Sequence, residues 1–162
     1  MICSAMLVRR ALDTDKPAIA GFLRPRHSEV VARLGRLERA LDHPALVVEH
    51  GAELGGVLTY VIAGGSCEIL TLHAAEQWRG TGTALIAAVQ RLAAERGCRR
   101  LWVLTTNDNV DALRFYQRRG FRLAELHPGA VAEARVRLKP EIPDIGNHEI
   151  PLRDELVLEK LV

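Results

Sequence analysis

Two periods of apolar and polar positions divide the chain. Apolar residues that alternate or run together predict strands over 6–10, 46–49, 57–63, 67–72, 101–105, 121–126 and 152–161. Returns every three or four positions predict helices instead. One begins at Asp13, which can cap it, and ends near Leu23, with Pro17 tolerated in its first turn. A second, over 28–41, gathers Val30, Val31, Leu34, Leu37 and Leu41 on one side and arginines on the other. The strongest pattern spans 82–96, with Leu85, Val89 and Leu92 inward and Gly97 placed to stop it. Asn109 can cap a helix over 110–119 that Gly120 ends, and 130–138 reads as a last one.

The order of these elements carries the topology. Strands 46–49 and 57–63 read as a hairpin joined across a glycine-rich turn at 51–56, and strand 67–72 follows after Gly64 and Gly65. Strand 67–72, helix 82–96 and the nearly continuous apolar strand 101–105 form one βαβ unit, whose crossover should be right-handed. Antiparallel strands, one parallel crossover and further strands predict a mixed α/β sandwich, not a doubly wound sheet. Residues 140–151, with three prolines and Gly146, read as a loop before the last strand, and nothing resembles a linker or repeat. A single domain over 1–162 is expected.

Composition narrows the function classes. With 48% hydrophobic and 26% charged residues the chain can bury a core. Twenty-two Lys and Arg against 20 Asp and Glu leave a net charge of +2, scattered along the chain, which argues against a nucleic-acid or membrane-surface partner. Cys3, Cys67 and Cys98 are odd in number, far apart and without metal-ligand spacing, so neither a disulfide framework nor a metal is expected. Together with no apolar run of about 18 residues and no signal-like start, this predicts a cytoplasmic protein.

Two segments can carry chemistry. The first is Gln77-Trp78-Arg79-Gly80-Thr81-Gly82-Thr83, between a strand end and a helix start. Free N–H groups at a helix N-terminus, approached over glycines, make an anion cradle, although the same residues also describe a tight turn. No Lys-Ser/Thr follows as a P-loop requires, and the third glycine of a dinucleotide fingerprint is missing. The second is Asn109-x-x-Ala112-x-x-Phe115-Tyr116-x-x-x-Gly120-Phe121, which places Asn109, Ala112, Phe115 and Tyr116 on one helical face. Phe115 reads as core; Tyr116 can present its hydroxyl to a cleft or bury it against a backbone carbonyl.

Together, in this order, the two segments resemble the GNAT superfamily of N-acetyltransferases. That family marks its acetyl-CoA site by Gln/Arg-x-x-Gly-x-Gly/Ala and often by Asn-x-x-Ala-x-x-Phe-Tyr-x-x-x-Gly-Phe. Gln77, Gly80 and Gly82 fill the first pattern and residues 109–121 the second. Arg79-x-x-Gly82-x-Ala84 also fits the first, and Gln77 is preferred because it keeps the helix pattern after Gly82 intact. The tail around Ile150-Pro151-Leu152-Arg153-Asp154-Glu155 is similar to the last hairpin of small bacterial members.

The resemblance implies a GNAT-like, mostly antiparallel sheet flanked by helices, with acetyl-CoA as co-substrate, no metal, and an amine as acceptor. It is compatible with a homodimer. It implies that Gln77 marks the cradle, in which the amides of Trp78, Arg79, Gly80, Thr81, Gly82 and Thr83 hold the pyrophosphate. The strand edge at Leu72 and Ala74 would pair with the pantetheine amides, and Asn109 would touch the pantetheine arm or the acetyl end. Tyr116 would protonate the leaving sulfur. Glu68 is the leading general base and His73 its competitor; strict alternation puts Glu68, Leu70 and Leu72 on one face and Ile69, Thr71 and His73 on the other. Glu49 and His50 are weaker candidates. Arg153, Asp154 and Glu155 alternate along the last strand, where an acidic residue lining the acceptor cleft would suit a cationic amine and an exposed strand face is the alternative. Cys67 and Cys98 read as buried hydrophobes. The acceptor side, built by the first two helices and the last hairpin, carries no decodable motif. A catalytically silent acyl-CoA-binding module on the same fold is the alternative.

Overall fold

The computed structural model describes residues 6–77 and 79–162, so Cys3 and Trp78 lie outside the described residues. Its frame is a seven-stranded sheet built from β1 (Val8–Arg10), β4 (Ala45–His50), β5 (Glu53–Ala63), β6 (Ser66–Ala74), β7 (Arg100–Thr106), β8 (Arg122–His127) and β9 (Glu155–Leu161). The strands lie in the order β1-β4-β5-β6-β7-β9-β8. All neighbours are antiparallel except β6 and β7, which the helix α2 (Thr81–Glu95) joins as the parallel unit expected.

The sheet separates two apolar layers because neighbouring residues of a strand point to opposite faces. Leu46, Val48, Leu58, Tyr60, Cys67, Ile69, Leu101, Val103 and Leu158 face α2 and α3 (Val110–Arg118), burying Leu85, Val89 and Tyr116. Ala45, Val47 and Val57 face the other way, onto Ile19 and Leu23 of α1 (Lys16–Leu23). This helix follows a 3-10 turn at Asp13–Asp15 and carries Pro17 in its first turn. The last helix, α4 (Ala130–Arg137), and the irregular segment after it precede β9.

The helix expected over 28–41 is absent. The segment forms a hairpin of β2 (Val30–Arg33) and β3 (Arg36–Arg39), closed by Leu34 at φ 45° and Gly35 at φ 77°. Two consecutive positive φ angles describe the turn whose twist matches a two-residue hairpin, and Gly35 takes its place there without strain. The spacing of Val30, Val31, Leu34 and Leu37 mimicked a helical stripe, but Leu34 and Leu37 are exposed and only Arg33 of the hairpin is buried. A second correction concerns Gly55 and Gly56. The turn after β4 is confined to 51–52, and both glycines lie inside β5.

Candidate active site

The parallel pair holds only from Ser66–Arg100 to Ile69–Val103. Beyond it β6 continues to Ala74 while Leu104, Thr105 and Thr106 pair solely with β9, so a gap opens in the middle of the sheet. The Ala75 N–H donates to the Gly55 carbonyl at 2.8 Å. Strand alternation then turns the amides of Leu72 and Ala74 away from β5, toward the gap. The backbone of Leu72 and Ala74 therefore faces the gap.

At the end of this edge α2 begins. Gly80 is its N-cap at φ 80°, without a side-chain cap, and its carbonyl accepts from Ala84 N–H at 3.0 Å. The amides of the first turn have no intrahelical acceptor and are free for an anion. Thr81 is buried, and a side chain on Gly56 would stand 2.5 Å from its Cγ2, so the bare backbone of Gly56 lets the helix start press onto the sheet. Gly82 has a further reason to lack a side chain: a Cβ there would meet the Phe115 ring at 3.0 and 3.1 Å. Thr83 is exposed and engaged by an arginine that sequence reasoning missed. Arg119 donates from Nη2 to Thr83 Oγ1 at 2.6 Å and from Nη1 to the Phe115 carbonyl at 2.8 Å, and its guanidinium stacks 3.6 Å from the Phe115 centroid. No motif connects positions 83 and 119. Gln77 and Arg79 are exposed in the preceding turn, with Arg79 Nε 2.9 Å from Glu76 Oε2.

Asn109 caps α3 by accepting from Ala112 N–H at 3.1 Å, the local role its position suits. Tyr116 is 6% exposed, wedged edge-on between Phe115 and Phe121 with ring centroids 5.2 Å away on either side. Burial pushes its phenol well above the ordinary tyrosine range. Its hydroxyl has no hydrogen-bond partner among the described residues.

The opposite face of the sheet collects the charged candidates, and a β-bulge decides which. Thr71 pairs with Thr59 but Ile69 pairs with Tyr60, leaving Leu70 as the extra residue. Alternation flips at the bulge, so Glu68 shares its face with Thr71 and His73, while Ile69 and Leu72 share the α2 side. This corrects the expectation of strict alternation and puts both candidate bases on one side. Glu68 is buried in an ion pair with Arg33 of the hairpin, and Arg33 stacks 5.3 Å from the Trp102 centroid. Arg33 Nε has no hydrogen-bond partner among the described residues. Burial lifts the Glu68 carboxyl above the ordinary range, opposed by Arg33. His73 Nε2 lies 2.7 Å from Ser28 Oγ, and burial, aided by Arg26, holds its imidazole down at about 4.

Glu155, one of the two acidic residues of the 153–155 run, is 2% exposed at the start of β9, opposite Thr106 in the part of β7 that β6 has left. Leu34 N–H donates to its Oε2 at 3.1 Å, and burial lifts its carboxyl, opposed by that bond, His127 and Arg33. It lines a cavity of about 180 Å³ with Val31 and Ala32 of the hairpin, Thr106, Val131 and Ala134 of α4, Leu152, Ile142 and Lys139. The walls are held by neighbouring residues. Asn107 accepts from the Arg153 and Asp154 amides at 3.0 Å, and buried Asp108 accepts from Asn147 N–H at 2.8 Å. Lys139 Nζ donates to the Val30 carbonyl at 2.8 Å.

Other candidates have structural work. Asp154 accepts from Gly129 N–H at 2.8 Å at the start of α4, and Glu49 pairs with Arg9 at 2.7 Å. His50 is exposed. Cys67 and Cys98 are buried and free, and burial pushes the Cys67 thiol up to about 12, so it stays protonated. No helix among the described residues is long and apolar enough to cross a membrane.

Comparison with known proteins agrees with this geometry. Residues 8–121 match the family model described as the acetyltransferase (GNAT) family. The uncharacterized protein YdhI of Bacillus subtilis is 45% identical over 122 residues, covering 75% of either chain. A Bacillus subtilis acetyltransferase solved in complex with CoA superposes with a TM-score of 0.71 at 18% identity, over 97% of this chain and 99% of that one. A GNAT family acetyltransferase from Elizabethkingia anophelis with acetyl-CoA bound gives 0.67 at 17% identity, over 98% and 99%. The split strand pair, the open helix start behind it and the family match over most of the chain lead to one conclusion: the chain belongs to the GNAT family of acetyltransferases.

Proposed function

We propose that this chain is an acetyl-CoA-dependent N-acetyltransferase that passes the acetyl group directly to an amine. The observation that carries the proposal is the gap between β6 and β7, which ends at the uncapped start of α2. It offers a strand edge for an amide-bearing arm and free N–H groups for phosphates, in that order along one line of chain. Acetyl-CoA supplies the activated acetyl group as a thioester.

The chain supplies the rest. The Gly80, Thr81, Gly82 and Thr83 amides hold the pyrophosphate, with Arg119 adding positive charge beside the first turn and Gln77 and Arg79 forming the rim. Leu72 and Ala74 pair with the pantetheine amides, and Asn109, by capping α3, fixes the helix that carries Tyr116. Tyr116 donates its phenolic proton to the departing sulfur; its raised pKa keeps that proton in place at neutral pH. Glu68 takes the proton of the attacking amine through water, since burial raises its basicity and Arg33 holds it in place. With its proton affinity lowered by burial, His73 is the poorer base.

The test is release of CoA from acetyl-CoA against a panel of primary amines, beside thermal stabilisation by CoA. CoA release with at least one amine supports the enzyme. Stabilisation by CoA with no release under any amine would establish a silent acyl-CoA-binding module, and no stabilisation would move the cradle elsewhere.

A further inference from the structure

We propose that the cavity between the β2–β3 hairpin and α4 is the acceptor site, that Glu155 is its ammonium anchor, and that it takes a compact primary alkylamine without a carboxylate. This rests on the acetyl-transfer reading above and names the substrate class of that site.

Three observations converge. The first is position. Thr106 and Glu155 are register partners beyond Val103, the last β7 residue that β6 reaches, so the cavity adjoins the same gap that exposes the Leu72 and Ala74 edge. The second is charge. Under the hairpin, two buried carboxylates share one guanidinium. Arg33 gives its ion pair to Glu68, whereas the described bonding of Glu155 is one backbone N–H, from Leu34. Arg33 and His127 act on the Glu155 carboxyl without forming an ion pair with it; a buried carboxylate so placed is costly, and an incoming ammonium provides a direct partner. Lys139, also in the lining, is tied to the Val30 carbonyl at 2.8 Å and reaches the His27 carbonyl at 3.5 Å. The third is size and polarity. The cavity has a volume of about 180 Å³. Val31, Ala32, Val131, Ala134, Ile142 and Leu152 make the wall aliphatic. A short hydrocarbon body fits this space.

The experiment compares n-butylamine with 4-aminobutyrate, the same chain bearing a carboxylate, in steady-state transfer and in calorimetric binding to the protein. The expected result is a kcat/KM for n-butylamine at least about tenfold higher. Glu155→Gln should raise the KM for n-butylamine about tenfold or more and abolish its heat of binding, while the KM for acetyl-CoA and the CoA-induced thermal shift stay unchanged. Ala32→Phe, which fills the cavity from the hairpin, should weaken both amines with the same indifference to CoA. Unchanged amine binding in both variants, or preference for 4-aminobutyrate, would overturn the assignment. Loss of the CoA thermal shift in the unsubstituted protein would instead sink the acetyl-transfer reading, and the calorimetry would still decide the cavity.

Discussion

The two halves of the cleft are built from different material. On the α2 side the functional groups are backbone amides, presented by a strand that outruns its neighbour and by a helix start without a cap. On the hairpin side they are side chains, the buried Arg33, Glu68 and Glu155 and the half-buried His73, drawn from positions far apart in the chain. Backbone groups depend on local conformation, which short motifs encode. Side-chain clusters depend on which elements meet, so a half of the second kind can change its ligand without disturbing the first.

That contrast can be broken by experiment, and the largest expected effect lies on the hairpin side. Arg33→Ala should cost about 3–5 kcal/mol in chemical denaturation, because it leaves Glu68 buried without its partner. The double change Arg33→Met, Glu68→Leu should recover most of that stability while CoA binding persists. A cost below about 1 kcal/mol for Arg33→Ala would show that the pair is not buried in solution.

The next effect is a pH dependence. His73 is held at about 4, below the ordinary value of 6.5, so between these limits the unfolded chain binds a proton that the folded chain refuses. Stability should therefore fall as pH drops from about 6.5 to about 4, by up to roughly 3 kcal/mol at 1.36 kcal/mol per unit. His73→Gln should flatten urea midpoints across that window, and an unaltered slope would remove His73 as its source.

On the backbone side the side chains should matter for rate and charge, not for folding. Tyr116→Phe should lower kcat about a hundredfold, or about 2.7 kcal/mol, with CoA affinity nearly intact. An unchanged rate would strike the hydroxyl from the chemistry. Arg119→Ala should be milder, weakening CoA about tenfold and increasing the salt dependence of what remains. Equal CoA affinity with and without Arg119 would mean that the amides alone suffice.

Legibility followed the same division. The βαβ unit, both glycines of the cradle and the α3 cap could be read because each is a local demand of turn, helix start or buried strand. The hairpin could not, since Val30, Val31, Leu34 and Leu37 fit a helical stripe as well as a twisted ribbon. Nor could the bulge at Leu70, which moved Thr71 and His73 to the face of Glu68 by adding one residue to a strand whose composition gives no sign of it. Arg119 was missed because its partner Thr83 lies 36 positions away on another helix.

What the sequence by itself determined is the frame: a mixed sheet with one parallel crossover, and a glycine-marked helix start at its split. Period, caps and glycine conformations act over a few residues, so a linear text can hold them. Only the tertiary structure decided the hairpin side. There the hairpin sets Arg33 beside Glu68 and Leu34 beside Glu155, and Asp108 and Asn107 fasten the segment before β9. The physical reason is that a buried charge takes its meaning from its partners, and partners are chosen by packing.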